Sequence, residues 1–301
     1  MSNSFDVIII GEGIAGLTAA GLLAKKGIRA ASFEQQLFGG LILNVNELDP
    51  APSGGEAGGA AFASEMIGAN ADAGVTSIQE PVNAVAAAEG GFTVKTETGS
   101  YHARQVIVAS GAKLKMLGVP GEAEFEGRGV SKCADCDGPM FQNETVAVVG
   151  GGDSALQEAN VLTHYCAKVL LLHRGSAFRA QPRFVEQVQA NAKIELRFGS
   201  RVEAILGGQM VEKILVKRTA GSEELAVAGV FAYIGLEPNA AFVPDTVERD
   251  ATGRLLTDVT LETALPGLWA IGAVRSGCGG SLEDAMRDAK QAAEAVAARL
   301  K

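Results

Sequence analysis

The chain is poor in cysteine and histidine, has a deficit of basic charge, and lacks any long apolar run. Four cysteines among 301 residues cannot make a disulfide scaffold. A cytosolic chain is therefore the default, and there a close cysteine pair is usually catalytic or metal-binding. The 26 Lys and Arg against 35 Asp and Glu leave a net charge of −9. That balance argues against a nucleic-acid binder, whose affinity comes mainly from neutralising phosphates. No apolar stretch approaches the ~20 residues of a membrane-spanning helix. Met1-Ser2-Asn3-Ser4 runs straight into an apolar strand with an acidic Asp6, which is not the pattern of a signal peptide. The expectation is a cytoplasmic protein without nucleic-acid or membrane partners.

Glycine is abundant, at 38 residues, and 47% of the chain is hydrophobic. This composition fits a soluble α/β protein with many tight turns, and the length suits two domains. Phe5–Ile10 reads as a buried parallel strand. Gly11, Gly13 and Gly16 follow it, then a helical stretch from Leu17 to Lys26 and a second strand from Arg29 to Phe33 that ends at Glu34. Gly11-Glu12-Gly13-Ile14-Ala15-Gly16 is thus a dinucleotide fingerprint in its required context, with a strand before and a helix after. The first glycine permits the turn, the second lets backbone approach a pyrophosphate, and the third lets helix and strand pack closely. Glu34 can accept hydrogen bonds from ribose hydroxyls. The segment 38–59 is rich in glycine and proline and reads as loop, including Gly54–Gly59, with a helix over Ala60–Ala73. Phe92–Thr98 and Tyr101–Val108 resemble a hairpin or meander around Gly99, and Val106-Ile107-Val108-Ala109-Ser110-Gly111 a strand returning to the first sheet.

The unit repeats. Thr145–Val149, the turn Gly150-Gly151-Gly152-Asp153-Ser154-Ala155, a helix to Leu162 and a strand over Lys168–His173 form a G-x-G-x-x-A version of the same module. In place of Glu34 it offers His173-Arg174, with Arg179 following. A cation there suits a 2′-phosphate, so NADPH is favoured, with NADH possible. Breaks at Gly118-Val119-Pro120-Gly121 and Gly235–Asn239 give domains 1–117 with 240–301, and 118–239. The tail, with a strand at Leu268–Ile271 and a helix over Ser281–Leu300, is expected to rejoin the first domain, because parallel strands need crossover partners.

Between the two modules lies Cys133-Ala134-Asp135-Cys136-Asp137-Gly138. The spacing permits a disulfide that opens and closes, and such motifs lower a thiol pKa. Asp137 adjoins the pair and could carry a proton. Structural zinc normally takes four ligands, and Cys166, Cys278, His102, His164 and His173 are too scattered to complete a site, so no metal is expected. Cys166 and Cys278 read as packing residues.

These residues resemble low-molecular-weight thioredoxin reductases along nearly the whole chain. The likeness is most specific in Cys133–Gly138 followed by Gly150–Ala155. It extends to Gly39-Gly40, Val106–Gly111, His173-Arg174 with Phe178-Arg179-Ala180, and Ile234-Gly235-Leu236-Glu237-Pro238-Asn239. The resemblance implies an α/β fold of two Rossmann-like domains, the NAD(P) domain inserted into a discontinuous FAD domain. It also implies a homodimer with FAD and NADPH, and a thioredoxin-like protein or small disulfide or dithiol as partner. In this likeness the two domains rotate about hinges near Gly118 and Gly235. Cys136 faces the flavin, Cys133 attacks the substrate disulfide and Asp137 donates the proton. The FAD contacts fall on Gly11, Gly13, Ile14, Ala15, Gly16, Glu34, Gly39, Gly40, Ala109, Ser110, Gly111, Gly272 and Ala273. The nicotinamide nucleotide contacts fall on Gly150, Gly152, Asp153, Ser154, Ala155, His173, Arg174, Arg179, Ile234 and Gly235.

Several positions depart from that family. Arg174-Gly175 stands where two adjacent arginines are usual, which removes a charge-assisted hydrogen bond worth roughly 1.5–3 kcal/mol. Leu41 replaces a glutamine, Ala273 replaces a flavin-binding aspartate, and Gly280-Ser281 replaces an Arg-Gln pair. Losing the aspartate's hydrogen bond costs about 1 kcal/mol. The expectation is an NAD(P)H-dependent disulfide reductase divergent from the housekeeping enzyme. The alternatives are a flavin-dependent dithiol oxidase, against which the surviving Gly150, Gly152, Ala155 and Arg174 count, and a non-catalytic flavin- and nucleotide-binding relative.

Overall fold

The computed structural model describes residues 3–45, 48, 58–219 and 221–301. The chain divides into two compact units, Met1–Lys113 with Glu237–Lys301, and Leu114–Leu236.

The first unit begins with β1 (Ser4–Ile10), α1 (Ile14–Ala24) and β2 (Ala30–Phe33). A short 3-10 turn at Gly40–Asn44 and α2 (Gly59–Asp72) follow. Most of the loop expected over Gly54–Gly59 lies outside the described residues, and Gly59 opens α2. Next come β3 (Thr76–Ile78), β4 (Ala84–Ala88), β5 (Gly91–Lys95) and β6 (Ser100–Val108). Then β7 (Ala112–Leu114) leads into the second unit.

That unit contains β8 (Val130–Ser131), the single turn α3 (Ala134–Asp137), β9 (Thr145–Gly150), α4 (Asp153–Leu162) and β10 (Lys168–His173). It continues with α5 (Pro182–Ala190), β11 (Ile194–Phe198), β12 (Arg201–Gly207), β13 (Val211–Arg218), β14 (Gly221–Ala226) and β15 (Gly229–Tyr233). After β16 (Leu236–Pro238), the chain returns to the first unit with β17 (Leu268–Ala270) and α6 (Leu282–Leu300).

In the first unit the strand order is β3-β2-β1-β6-β5-β4. The β1, β2 and β3 strands run parallel, as do β1 and β6, whereas β4, β5 and β6 form an antiparallel meander. The returning β17 pairs parallel with the end of β6, Leu268 against Val106. Alternation along β1 sends Ile8 and Ile10 to one face and Val7 and Ile9 to the other, and all four are buried. The first face packs with Phe33, Val108, Leu255 and Leu268. The second meets Ala15, Ala19 and Leu23 of α1, with Ala289, Ala293 and Val296 of α6. The alanines let these two helices lie close to each other and to the sheet. Among the described residues, no helix is long and apolar enough to cross a membrane.

The second unit repeats the plan with a five-stranded sheet of order β11-β10-β9-β15-β8, all parallel. One face carries Val148, Leu171 and Phe231 against Leu156 and Leu162 of α4 and Phe184 and Val188 of α5. The other face, with Val149, Leu172 and Val230, is covered by Val202, Ile205, Ile214 and Val216 of the antiparallel β12-β13-β14 sheet. Full burial of each such side chain contributes about 1.5–3 kcal/mol. In each unit the carboxyl end of a parallel central strand, β1 or β9, leads into a glycine turn and a helix N-terminus.

Candidate functional site

In the first unit the glycine turn is fixed by close packing. A Cβ at Gly11 would lie 2.5 Å from the Ala109 carbonyl oxygen, and one at Gly16 only 1.9 Å from the Gly11 carbonyl oxygen. Gly11 also has a φ of 106°, a region that non-glycine residues rarely adopt. By contrast, nothing lies nearer than 4.0 Å to a Cβ position on Gly13, so that backbone faces open space. Gly13 is the N-cap of α1 and no side chain caps the helix. Its first amides are left for an anion.

The predicted neighbours gather at this turn. Gly39 donates its amide to the Glu12 carbonyl at 2.7 Å and bridges to Gly13. A Cβ on Gly272 would lie 3.0 Å from the Ala15 Cβ. Glu34, at the end of β2, accepts the Glu12 amide at 2.9 Å and the Gln35 and Gln36 amides at 2.9 and 3.0 Å. Ser110 Oγ donates to the Asn239 carbonyl at 2.5 Å, and Asn239 returns its side-chain amide to the Ser110 carbonyl at 3.0 Å. The Gly111 carbonyl accepts the Asn239 amide at 3.0 Å. The adenosine diphosphate portion of a dinucleotide fits this turn, uncapped helix and terminal acid.

In the second unit a Cβ at Gly150 would lie 2.5 Å from both the Ala155 Cβ and the Tyr233 carbonyl oxygen. Gly152 has open space above it and caps α4 without a side-chain bond. Asp153 is occupied by Gln181, whose backbone and side-chain amides donate to its carboxylate at 2.7 and 2.8 Å. Those bonds hold its carboxyl below the usual range. The His173 ring is buried against Gly151 and Gly175, with Phe178 and Phe198 centroids 5.6 and 6.3 Å away. Arg174 and Arg179 are exposed, and among the described residues no ion pair or side-chain hydrogen bond engages either guanidinium. Ser154 and Ile234 are exposed, and Gly235 has a φ of 108°.

Cys133 and Cys136 are joined as a disulfide with Cα atoms 5.3 Å apart. Cys133 is the N-cap of α3, and its sulfur accepts the Cys136 amide at 3.2 Å. Cys133 is half-buried and Cys136 exposed. Asp137 closes the same turn, its amide donating to the Cys133 carbonyl at 3.1 Å. By contrast, Cys166 is fully buried, and burial pushes its thiol up to about 11, so it stays an inert thiol. Burial also raises Cys278.

The family description "Pyridine nucleotide-disulphide oxidoreductase" matches residues 5–298. The chain is a member of this family. Its relatives place it with the thioredoxin reductases. It is 36% identical over 300 residues to the thioredoxin reductase of Treponema pallidum, covering 99% of this chain and 97% of that one. It is 36% identical over 275 residues to the thioredoxin reductase of Listeria innocua, covering 90% and 86%. The solved thioredoxin reductase of Lactococcus lactis, described in its FR conformation, superimposes with a TM-score of 0.91 at 33% identity, over 98% of both chains. As an oxidoreductase of this family, the protein carries its redox disulfide beside the second of two Rossmann-like modules.

The Gly272 end of the first unit departs from the expected family pattern in charge. Ala273 follows Gly272 without a carboxylate, and Leu41 is exposed. Ser281 serves another purpose. It caps α6 by accepting the Asp284 amide at 3.1 Å while Asp284 accepts the Ser281 amide, a complete capping box. The Gly272 turn is held from below by Asp288, which accepts the Gly272 amide at 3.0 Å and both Nε and Nη2 of Arg275 at 2.6 Å.

Sequence reading missed four side chains near these sites. They are buried Glu12, which accepts the Ser32 and Ser77 hydroxyls at 2.6 and 2.7 Å, Asp288, Ser131, and Glu158. The Glu158 carboxylate accepts the Tyr233 hydroxyl at 3.5 Å. Burial first, then the Asp135 charge, raises its pKa.

Proposed function

We propose that the protein is an NAD(P)H-dependent flavoprotein that reduces the disulfide of a thioredoxin-like protein or a small disulfide through Cys133 and Cys136. The observation that carries this reading is the formed Cys133–Cys136 disulfide, on the same unit as a complete nucleotide turn, in a chain similar to thioredoxin reductases over nearly its whole length. FAD bound at Gly11, Gly13, Ile14, Ala15, Gly16, Glu34, Gly39, Gly40, Ala109, Ser110 and Gly111, with its far end near Gly272 and Ala273, would supply the electron relay between nicotinamide and disulfide.

The chain's own residues account for the remaining chemistry. Gly150, Gly152, Asp153, Ser154 and Ala155 form the turn for the nicotinamide nucleotide, with Ile234 and Gly235 at its border. Arg174 and Arg179 carry unpaired charge suited to a 2′-phosphate, which favours NADPH. The His173 ring forms the floor under Gly151. In the reduced pair, the Cys136 amide stabilises a thiolate on Cys133, which fits Cys133 as the attacking sulfur and Cys136 as the resolving one. Asp137, half-buried on the same turn, takes and returns the proton. By family likeness the protein acts as a cytoplasmic homodimer.

Turnover tests the reading. NADPH should drive reduction of a thioredoxin or of a small aromatic disulfide, and Cys136→Ser should abolish it. Turnover requiring oxygen and a dithiol but no nicotinamide would reverse the proposed direction of flow.

A further inference from the structure

The Ser131 hydroxyl stands between the redox turn and its acid. Ser131 ends β8, paired with Phe231 of β15, and is buried. Its Oγ accepts the Cys133 amide at 3.1 Å. It has one proton to give and two acceptors in reach, Asp137 Oδ2 at 2.6 Å and the Cys133 carbonyl at 3.3 Å. With Asp137 ionised, the short charge-assisted bond wins. With Asp137 protonated, the acid can donate to Oγ, and the serine proton turns to the Cys133 carbonyl. Neither state leaves a buried donor without a partner.

We propose that Ser131 is the positioning residue of Asp137, a hydroxyl rotor that holds the carboxylate when it is ionised and releases it when it takes a proton. This rests on the disulfide exchange proposed above. In that exchange the Cys133 thiolate has already formed a mixed disulfide with the substrate. Cys136 Sγ then attacks Cys133 Sγ and gives its proton to Asp137. The Cys133–Cys136 bond forms and the Cys133–substrate bond breaks. The electron pair leaves on the substrate sulfur, which takes the proton back from Asp137. Ser131 turns once in each direction during the cycle. The residue has no motif of its own, and its hydroxyl bonds to the Asp137 carboxylate and the Cys133 backbone, so it acts through Asp137.

The test uses the full-length protein, reduced with dithiothreitol, freed of reductant, and mixed with a small aromatic disulfide at a series of pH values without nicotinamide. The oxidation rate of the dithiol should fall on the acid side, where the attacking thiolate is lost and the carboxylate no longer accepts the Cys136 proton, and Asp137→Asn should remove the part of that limb that depends on the carboxylate. Ser131→Ala withdraws a hydrogen bond to a charge, so the limb should move up by ~1–2 pH units. Ser131→Thr, which keeps the hydroxyl, should restore the wild-type position. Ser131→Ala in the Asp137→Asn background should change nothing further. A Ser131→Ala profile that overlays the wild type overturns the proposal, as does an additional shift in the double variant or the lack of any Asp137-dependent limb. Because no nicotinamide is present, failure of NADPH-driven turnover would sink the proposed function while leaving this result readable.

Discussion

Asp288→Ala should destabilise the first unit severely, and its magnitude follows from the geometry. The Asp288 carboxylate is 2% exposed and the Arg275 side chain 13%. Three donors converge on it: the Gly272 amide and two guanidinium nitrogens of Arg275. Removing the acid strands a largely buried guanidinium and a buried amide. Breaking one partner of a buried pair costs about 3–5 kcal/mol. For a folding unit of 150–250 residues each kcal/mol moves Tm by ~2–4 °C, so the expected drop is ~6–20 °C. The assay is selective. The chain has a single tryptophan, Trp269, buried in β17 with its indole N–H donating to Gln105 at 2.9 Å. Its fluorescence therefore follows the first unit alone. The comparison must be made at one flavin concentration, because ligand binding shifts apparent stability. Asp288→Asn keeps an acceptor for the Gly272 amide and should lose less. The paired replacement Arg275→Met with Asp288→Leu removes both charges and should recover most of the loss. An Asp288→Ala protein within about 1 kcal/mol of wild type, or a double variant as unstable as the single, refutes the reasoning.

Other outcomes follow from the same contacts. Gly16→Ala forces a Cβ to within 1.9 Å of the Gly11 carbonyl oxygen, so the purified protein should lose FAD, seen as missing flavin absorbance. Arg174→Ala should raise the KM for NADPH about tenfold or more, the equivalent of one charge-assisted bond, and leave the KM for NADH unchanged; equal effects on both would show that Arg174 does not read the 2′-phosphate. Glu158 has its pKa raised chiefly by burial. Its protonated form therefore contributes stability that is complete below the unfolded value near 4.5 and is lost as pH rises through the raised folded value. Glu158→Gln cannot ionise, so its Tm relative to wild type should climb across that window, and a pH-independent difference would contradict the argument.

Much of this architecture was legible from local spacing. The glycines of the two turns and Cys133–Cys136 lie within short windows, and each needs a particular backbone geometry that few other residues supply. The runs Val7–Ile10 and Val146–Val149 announced strands buried on both faces, and the tail beyond Asn239 does return to pair with β6. The β12-β13-β14 sheet was harder to read. Its strands are only half-apolar, and β14 exposes much of its length. The α5 helix offers little more than Phe184 and Val188, one turn apart. Two of the unrecognised site residues have partners far away in sequence. Asp288 lies 16 positions from the amide it receives and Glu158 is 75 from Tyr233; no local periodicity encodes such partners. Ser131 is only six residues from Asp137, but a short strand separates it from the motif that gives Asp137 its meaning. The missing carboxylate at Ala273 was legible in the sequence, but the ion pair that Arg275 and Asp288 form beside it is visible only once β17 and α6 are packed together.

The central claim is that electrons from the nicotinamide finish on Cys133 and Cys136, and differential alkylation tests it most directly. The protein is blocked with one alkylating reagent in its oxidised form, treated anaerobically with one equivalent of NADPH, trapped with a second reagent and mapped by mass spectrometry. The account predicts that Cys133 and Cys136 alone take the second label, and only when FAD is bound. Full flavin bleaching with the Cys133–Cys136 bond still intact would contradict it.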